Sequence, residues 1–232
     1  MRPGEIDEIR KLPLFAAMLP ENFDALFRGA YVQNFPPQIE LIREGDPADF
    51  LHVVLEGSVE LFATWNNRET TMATVAPIAT FILAATIKNG PYLMSARTLE
   101  KARVILLPSA DVRKTFTTDP GFAQAIILDL AQCYRSVVKS HKDLKLRTSV
   151  ERLANYLLRK DHQAGEQGHF DLKIEKRRLA SYLGMTAENL SRAIRTLNGY
   201  GVEIEGSQVR ITDRKDLAAF AKPTPLIDDP KC

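Results

Sequence analysis

The chain has 232 residues, 45% hydrophobic and 26% charged, with a formal net charge of +2, a composition that suits two modest globular domains. No apolar run reaches the roughly 18–20 residues of a membrane span, and the N-terminal Met-Arg-Pro-Gly-Glu-Ile-Asp-Glu-Ile-Arg lacks the apolar stretch of a signal peptide, so no membrane partner is expected and the cytoplasm is the expected compartment. Only Cys133 and Cys232 occur, and His52, His141, His162 and His169 form no close pair, which argues against a disulfide framework, a cysteine-ligated iron–sulfur cluster and a histidine-built metal site.

Residues 4–30 read as short helices, with Phe15, Leu19, Phe23, Leu26 and Phe27 at spacings of three and four and Pro20 placed to open the second helix. From Tyr31 to Pro108 the period changes to two. Glu44-Gly-Asp-Pro47, Trp65-Asn-Asn-Arg68 and Lys88-Asn-Gly-Pro91 are turn signals, Leu51, Val53 and Leu55 alternate before Gly57, Val59 and Leu61 resume the alternation, and Val104–Leu107 is a last apolar strand ended by Pro108. Short strands with regular turns predict a small antiparallel β-roll, or jelly roll.

A long helix is predicted from Phe122, after Asp119-Pro120-Gly121. Ile127, Leu130, Tyr134, Val137, His141 and Leu144 follow one another at spacings of 3, 4, 3, 4 and 3, a heptad seam. A helix packed on its own domain would use the same residues. The narrowness of the seam, with Lys139, Lys142 and Lys145 crowding its flanks, favours a two-stranded coiled coil between subunits, hence a homodimer. Cys133, mid-helix, reads as a small hydrophobe if buried.

After Arg147 a second domain begins. Val150–Lys160 is an amphipathic helix, Gln163–Gly168 a loop, and Phe170, Leu172 and Ile174 alternate as a strand. Leu179, Ala180 and Leu183 then give the inner face of a short helix and Leu190, Ala193, Ile194 and Leu197 that of a second. Gly184 can take the positive φ of a sharp helix–helix turn, and Thr186 is a good N-cap. Glu188, Ser191 and Arg192 share the outward face, the arrangement of a recognition helix in a helix-turn-helix. Arg192 can bond bidentately to guanine O6 and N7, Glu188 can accept from cytosine N4, and Ser191 can reach a base or a phosphate; Thr186, Lys176 and Arg195 are further DNA candidates. Val202–Ile204, the Gly206-Ser207 turn and Val209–Ile211 add a hairpin, making a winged helix. The tail 222–232, with Pro223, Pro225 and Pro230, is predicted to be disordered.

The expected fold is therefore α+β: a β-roll over 1–121, a dimerisation helix over 122–146 and a winged helix-turn-helix over 147–221. Charge follows the same division. Residues 139–215 hold 16 Lys and Arg against 10 Asp and Glu, whereas the rest holds 15 against 19, as suits a DNA module joined to a part that does not touch DNA. An enzyme is not expected. A catalytic metal in a jelly roll needs several histidines with a carboxylate, this roll holds only His52, and no nucleophile elbow, phosphate loop or catalytic carboxylate pair stands out.

This order of parts resembles the CRP/FNR superfamily of bacterial transcription regulators over roughly residues 10–215. Leu14-Phe15 before Leu19-Pro-Glu21 is similar to the family's opening helices, and Arg43-Glu-Gly-Asp46 with Leu55-Glu-Gly57-Ser-Val-Glu-Leu61 to its β-roll turns. Glu188-x-x-Ser191-Arg192 resembles the base-reading residues of the FNR branch, which implies a TTGAT or TTGAC half-site in an inverted repeat, and the resemblance implies RNA polymerase as a partner. Members that bind cyclic AMP place a Gly-Glu pair and an Arg-Ser pair around the nucleotide; here Phe81-Ile82 and Tyr92-Leu93 stand there, so no cyclic AMP is expected, and without N-terminal cysteines no oxygen-sensing cluster either. What remains is an apolar wall of Phe81, Ile82, Leu83, Ile87, Tyr92, Leu93 and Met94, which is either core or a pocket for an apolar effector. Phe81-Ile-Leu-Ala-Ala and Pro91-Tyr-Leu-Met-Ser-Ala-Arg97 resemble the nitric-oxide-responsive regulators of denitrification genes. That implies haem as a candidate cofactor, with His52 or His141 as candidate ligands by residue type. A regulator that needs no effector, its roll serving only dimerisation, is the other reading.

Overall fold

The computed structural model describes residues 5–172 and 174–229. They form two compact units, Met1–Cys133 and Tyr134–Cys232.

In the first unit two short helices, α1 (Glu5–Arg10) and α2 (Pro20–Arg28), precede eight strands: β1 (Tyr31–Phe35), β2 (Glu40–Ile42), β3 (Phe50–Glu56), β4 (Val59–Trp65), β5 (Arg68–Val75), β6 (Ala79–Phe81), β7 (Ser95–Thr98) and β8 (Ala102–Pro108). They build two antiparallel four-stranded sheets, ordered β1-β8-β3-β6 and β2-β7-β4-β5, the two-sheet roll that alternation and turn spacing predict. The β4–β5 connection has two residues, because Trp65 pairs with Arg68 and Asn66 and Asn67 both take positive φ, 48° and 59°, the twist-matched hairpin turn that asparagine tolerates. Strand β3 serves two cores. Leu51 and Val53 face one containing Phe15, Phe23, Leu26, Phe27, Ile105, Leu107 and Phe122, whereas Val54 joins Val59, Leu61, Phe81, Tyr92 and Ala96 between the sheets.

Within the stretch expected as strands stands one helix, α3 (Leu83–Lys88), between β6 and β7; a further helix that the sequence reading did not name, α4 (Ser109–Thr118), follows β8. Helix α3 is entered through Ile82 in the left-handed region (φ 58°) and left through Asn89 in the same region (φ 53°). The long helix α5 spans Pro120–Leu146, starting two residues earlier than predicted. Its start is pinned. Buried Asp119 accepts from the amides of Leu19 (2.9 Å) and Phe122 (2.8 Å) and from the Asn22 amide group (2.9 Å), and a Cβ at Gly121 would lie 2.0 Å from the Ala17 carbonyl oxygen.

The second unit takes the remainder of α5, then α6 (Ser149–Gln163), β9 (His169–Asp171), α7 (Lys176–Tyr182), α8 (Ala187–Asn198), β10 (Val202–Glu205), β11 (Gln208–Ile211), α9 (Arg214–Ala221) and α10 (Pro225–Asp228). Thr148 and Glu151 form a reciprocal capping box at the start of α6. The sheet order is β10-β11-β9, and Leu153, Leu157, Leu179, Leu190, Leu197, Val202 and Leu217 form the core. The predicted disorder of 222–232 does not hold over its described part: residues 225–228 are helical, and Asp228 is paired with Arg147 and Arg159; residues 230–232 lie outside the described residues.

Candidate nucleic-acid interface

Helices α7 and α8 are joined by Leu183–Thr186. Gly184 has φ 63°, a value open to glycine at little cost, and a Cβ there would also lie 2.6 Å from Leu144 Cδ2. The Thr186 side chain accepts from the Asn189 amide at 3.2 Å, capping α8. Leu190, Ala193 and Leu197 are buried and Ile194 half-buried, which fixes the rotation of α8 about its axis. The opposite face presents Glu188, Ser191, Arg192 and Arg195, all exposed, with Thr186 at its head and exposed Lys176 at the start of α7. Ser191 Oγ donates to the Ala187 carbonyl at 3.0 Å, which leaves the oxygen's lone pairs as acceptors for an outside donor. Neither the Glu188 carboxylate nor the Arg192 guanidinium has an ion-pair partner among the described residues.

Sequence reasoning missed Arg152. It lies on the buried face of α6 and donates from Nε to the Leu183 carbonyl (2.8 Å), from Nη2 to the Gly184 carbonyl (3.3 Å) and from Nη1 to the Arg147 carbonyl (2.7 Å). It thus satisfies the carbonyls of the very turn that aims α8. Its place beside Leu153 gives it no signature that separates it from a solvated arginine.

The predicted effector wall is not one surface. Phe81, Ile82, Tyr92 and Met94 belong to the core between the sheets, Leu83 and Ile87 pack on the other core, and Leu93 is 76% exposed. Helix α3 divides them: its left-handed entry at Ile82 turns Leu83 and Ile87 onto a different core from Phe81. Tyr92 spends its hydroxyl on the Phe50 carbonyl at 3.0 Å. A cavity of about 370 Å³ in this unit is lined by Gly45, Pro47, Asp49, Asn89, Pro91, Ser109 and Arg113 and includes none of the wall residues. His52 is 4% exposed, pairs across strands with Phe81 and stacks on its ring at 4.9 Å, and Nδ1 has no partner; burial pushes its pKa down to about 4, so the imidazole is neutral. His141 is exposed on α5. Along the predicted seam Ile127, Tyr134, Val137, His141 and Leu144 are exposed, but Leu130 is half-buried against its own unit's core and so departs from a free seam. Cys133 is exposed rather than buried.

Two family matches fall on these parts: the cyclic nucleotide-binding domain on residues 32–119 and the Crp-like helix-turn-helix domain on residues 151–220. The chain belongs to the CRP/FNR family of transcription regulators. It is similar to the CRP-like cAMP-activated global transcriptional regulator of Mycobacterium tuberculosis, 24% identical over 224 residues that cover 94% of this chain and 100% of the relative. The transcriptional activator FnrA of Stutzerimonas stutzeri is 23% identical over 186 residues, covering 78% of this chain and 76% of that one. Among solved structures, FixK2 from Bradyrhizobium japonicum superimposes with a TM-score of 0.69 at 24% identity, over 84% of this chain and 98% of its own. As a CRP/FNR regulator the protein binds DNA and carries a cyclic-nucleotide-binding-type domain. Among its described residues no helix is long and apolar enough to cross a membrane.

Proposed function

We propose that the protein is a homodimeric, sequence-specific regulator that reads an inverted repeat of TTGAT or TTGAC half-sites. The observation that carries this reading is the outward face of α8, where Glu188, Ser191 and Arg192 stand exposed and the two charged groups lack ion-pair partners among the described residues. Arg192 takes guanine O6 and N7, Glu188 takes cytosine N4, Ser191 a neighbouring base or phosphate, and Thr186, Lys176 and Arg195 the backbone. The exposed Ile127, Tyr134, Val137 and Leu144 of α5 support a two-helix interface, and two-fold symmetry then sets recognition helices about one DNA turn apart. RNA polymerase is the partner that such DNA occupancy serves. Binding selection from random duplexes, repeated with Arg192→Ala, tests the reading. The expected loss is about 1–3 kcal/mol at the selected site with relaxed preference at one guanine; an unchanged sequence profile removes Arg192 from base reading.

The roll's effector is proposed not to be a cyclic nucleotide. Phe81-Ile82 and Tyr92-Leu93 offer neither a carboxylate for a ribose nor a cation for a phosphate. Haem does not fit the histidines as they stand: His52 is buried face to face with Phe81, leaving no slot for a macrocycle, and His141 lies open on α5. A nitric-oxide response through His52 would therefore require the roll to open. The division of the apolar wall between two cores favours the second reading, a regulator that needs no effector. Measuring affinity for the selected duplex with and without haem and nitric oxide separates the two; identical affinities support the effector-independent form, and a change of tenfold or so restores the sensor.

A further inference from the structure

Helices α5 and α6 are separated by two residues, Arg147 and Thr148, and the C-terminal turn is fastened across that break. The Arg147 side chain, only 7% exposed, reaches Asp143 Oδ1 on the last turn of α5 at 2.8 Å and forks onto both oxygens of Asp228, at 2.8 and 2.6 Å. Asp228 also accepts from Arg159 Nη1 of α6 at 2.6 Å and from the Thr224 amide at 2.8 Å. One residue further on, Lys139 Nζ of α5 donates to the Asp229 carbonyl at 2.6 Å. The segment from Pro225 to Asp229 is therefore tied to α5, to the break and to α6 at once. From the opposite side, the Arg147 carbonyl is held by Arg152, whose guanidinium also holds the Leu183 and Gly184 carbonyls in front of the recognition helix.

From this we infer that the C-terminal turn is a strap that fixes the angle between α5 and α6, with Asp228 as a positioning residue for DNA recognition. The forked, largely buried pair has one favourable geometry, so the break is held at one angle, and the Arg152 bridge passes that angle to α8. This rests on the dimeric DNA-binding reading above. In a dimer whose junctions are stiff, both recognition helices reach the grooves at one half-site spacing only. Releasing the strap lets each module swivel and widens the spacings accepted, while the contact of one α8 with one half-site is untouched.

The full-length protein and its Asp228→Asn variant are titrated by fluorescence anisotropy against inverted repeats whose spacer is lengthened or shortened by one and two base pairs, and against a single half-site. Hydrogen exchange over residues 143–151 is followed in parallel. The wild type is expected to lose on the order of tenfold in affinity when the spacer changes, whereas Asp228→Asn gives a nearly flat profile, unchanged half-site affinity and faster exchange at the junction. A chain ending at Pro223 is expected to behave like Asp228→Asn, and Asp228→Glu to recover part of the discrimination. A variant with the wild-type profile and wild-type exchange overturns the strap. Equal loss on every duplex, half-site included, assigns Asp228 to the stability of the module and overturns its positioning role. If the wild type itself shows no spacer preference, the dimeric reading fails, and the exchange rates alone then decide whether Asp228 holds the junction.

Discussion

A proton on His52 has to sit inside the roll, against the face of Phe81, with no partner at Nδ1. Its pKa of about 4 in the folded state, against 6.5 unperturbed, means that the unfolded chain binds the proton more readily across that interval. The stabilising contribution is complete above pH 6.5, declines as the pH falls and is gone below 4. At pH 5 the loss is about 2 kcal/mol relative to pH 7.5. Thermal melts of wild type and His52→Leu at both pH values check this: the wild type should lose stability at pH 5 by that amount more than the variant. Arg97 poses a different problem. Buried Glu60 receives its Nε at 2.8 Å and the Thr71 hydroxyl at 2.6 Å, and the guanidinium, also bound to Glu69, lies 4.4 Å over Phe62. Removing the cation takes this charged partner from a carboxylate buried in the sheet, so Arg97→Ala should cost about 3 kcal/mol in urea titrations, and Glu60→Gln in the same chain should return much of it.

Among the elements, α8 is the one whose sequence announces its surroundings. In α8 the cap, the inner apolar positions and the turn glycine each specify the same helix, and local and tertiary preferences agree. Gly184→Ala violates both at once, through φ 63° and through Leu144, and should lower the melting temperature of the second unit while leaving the first unchanged. In α5 the exposed Val137 is the cleaner probe of association, since Leu130 is partly committed to its own core; Val137→Lys should shift sedimentation from dimer to monomer, and an intact dimer would move the interface off this helix. Helices α3 and α4 were illegible for an equally physical reason. The six residues of α3 include Thr86 and Ile87, and those of α4 include Thr115, Thr117 and Thr118, β-branched residues that weaken helix propensity; neither has a side-chain N-cap, and their packing holds them helical. Of the two readings of the apolar wall, core is the one that its buried members follow, divided between two cores where α3 begins. The strap and Arg152 were hidden because an ion pair across some 80 residues leaves no periodic trace, and a proline-rich end reads as loose until its partners are in place.

On the scale of the whole molecule, the core of Leu153, Leu157, Leu190 and Leu217 shares no residue with the two cores of the first unit. Calorimetry should resolve two transitions, and acid should reach them in order. Protonation of His52 weakens the first unit between pH 6.5 and 4. Carboxylates act lower down. Burial disfavours the charge on Asp228 and Asp119, but the hydrogen bonds of Arg147 and Thr224 to the former, and of Phe122, Asn22 and Leu19 to the latter, outweigh it and hold both below the ordinary carboxylate range. Their contribution is present above about pH 4 and disappears as the pH falls through the folded values. The second transition should therefore hold steady from pH 7 to 5 in its Asp228 contribution and weaken only in stronger acid; a shift of that contribution near pH 6 would assign the titration to another group.

The anchorage of Asp119 sets how α5 can carry motion. A rod of 27 residues is about 40 Å long, and its first turn is bolted to the chain leading into α2, with the Ala17 carbonyl close enough to forbid even a methyl group on Gly121. Axial sliding is thereby denied, and what is left is a pivot about a fulcrum at one end. A tilt of 5° there carries Cys133, about 20 Å along the helix, through about 2 Å, so within the first unit a small rearrangement near Asp119 is amplified along α5 by leverage alone.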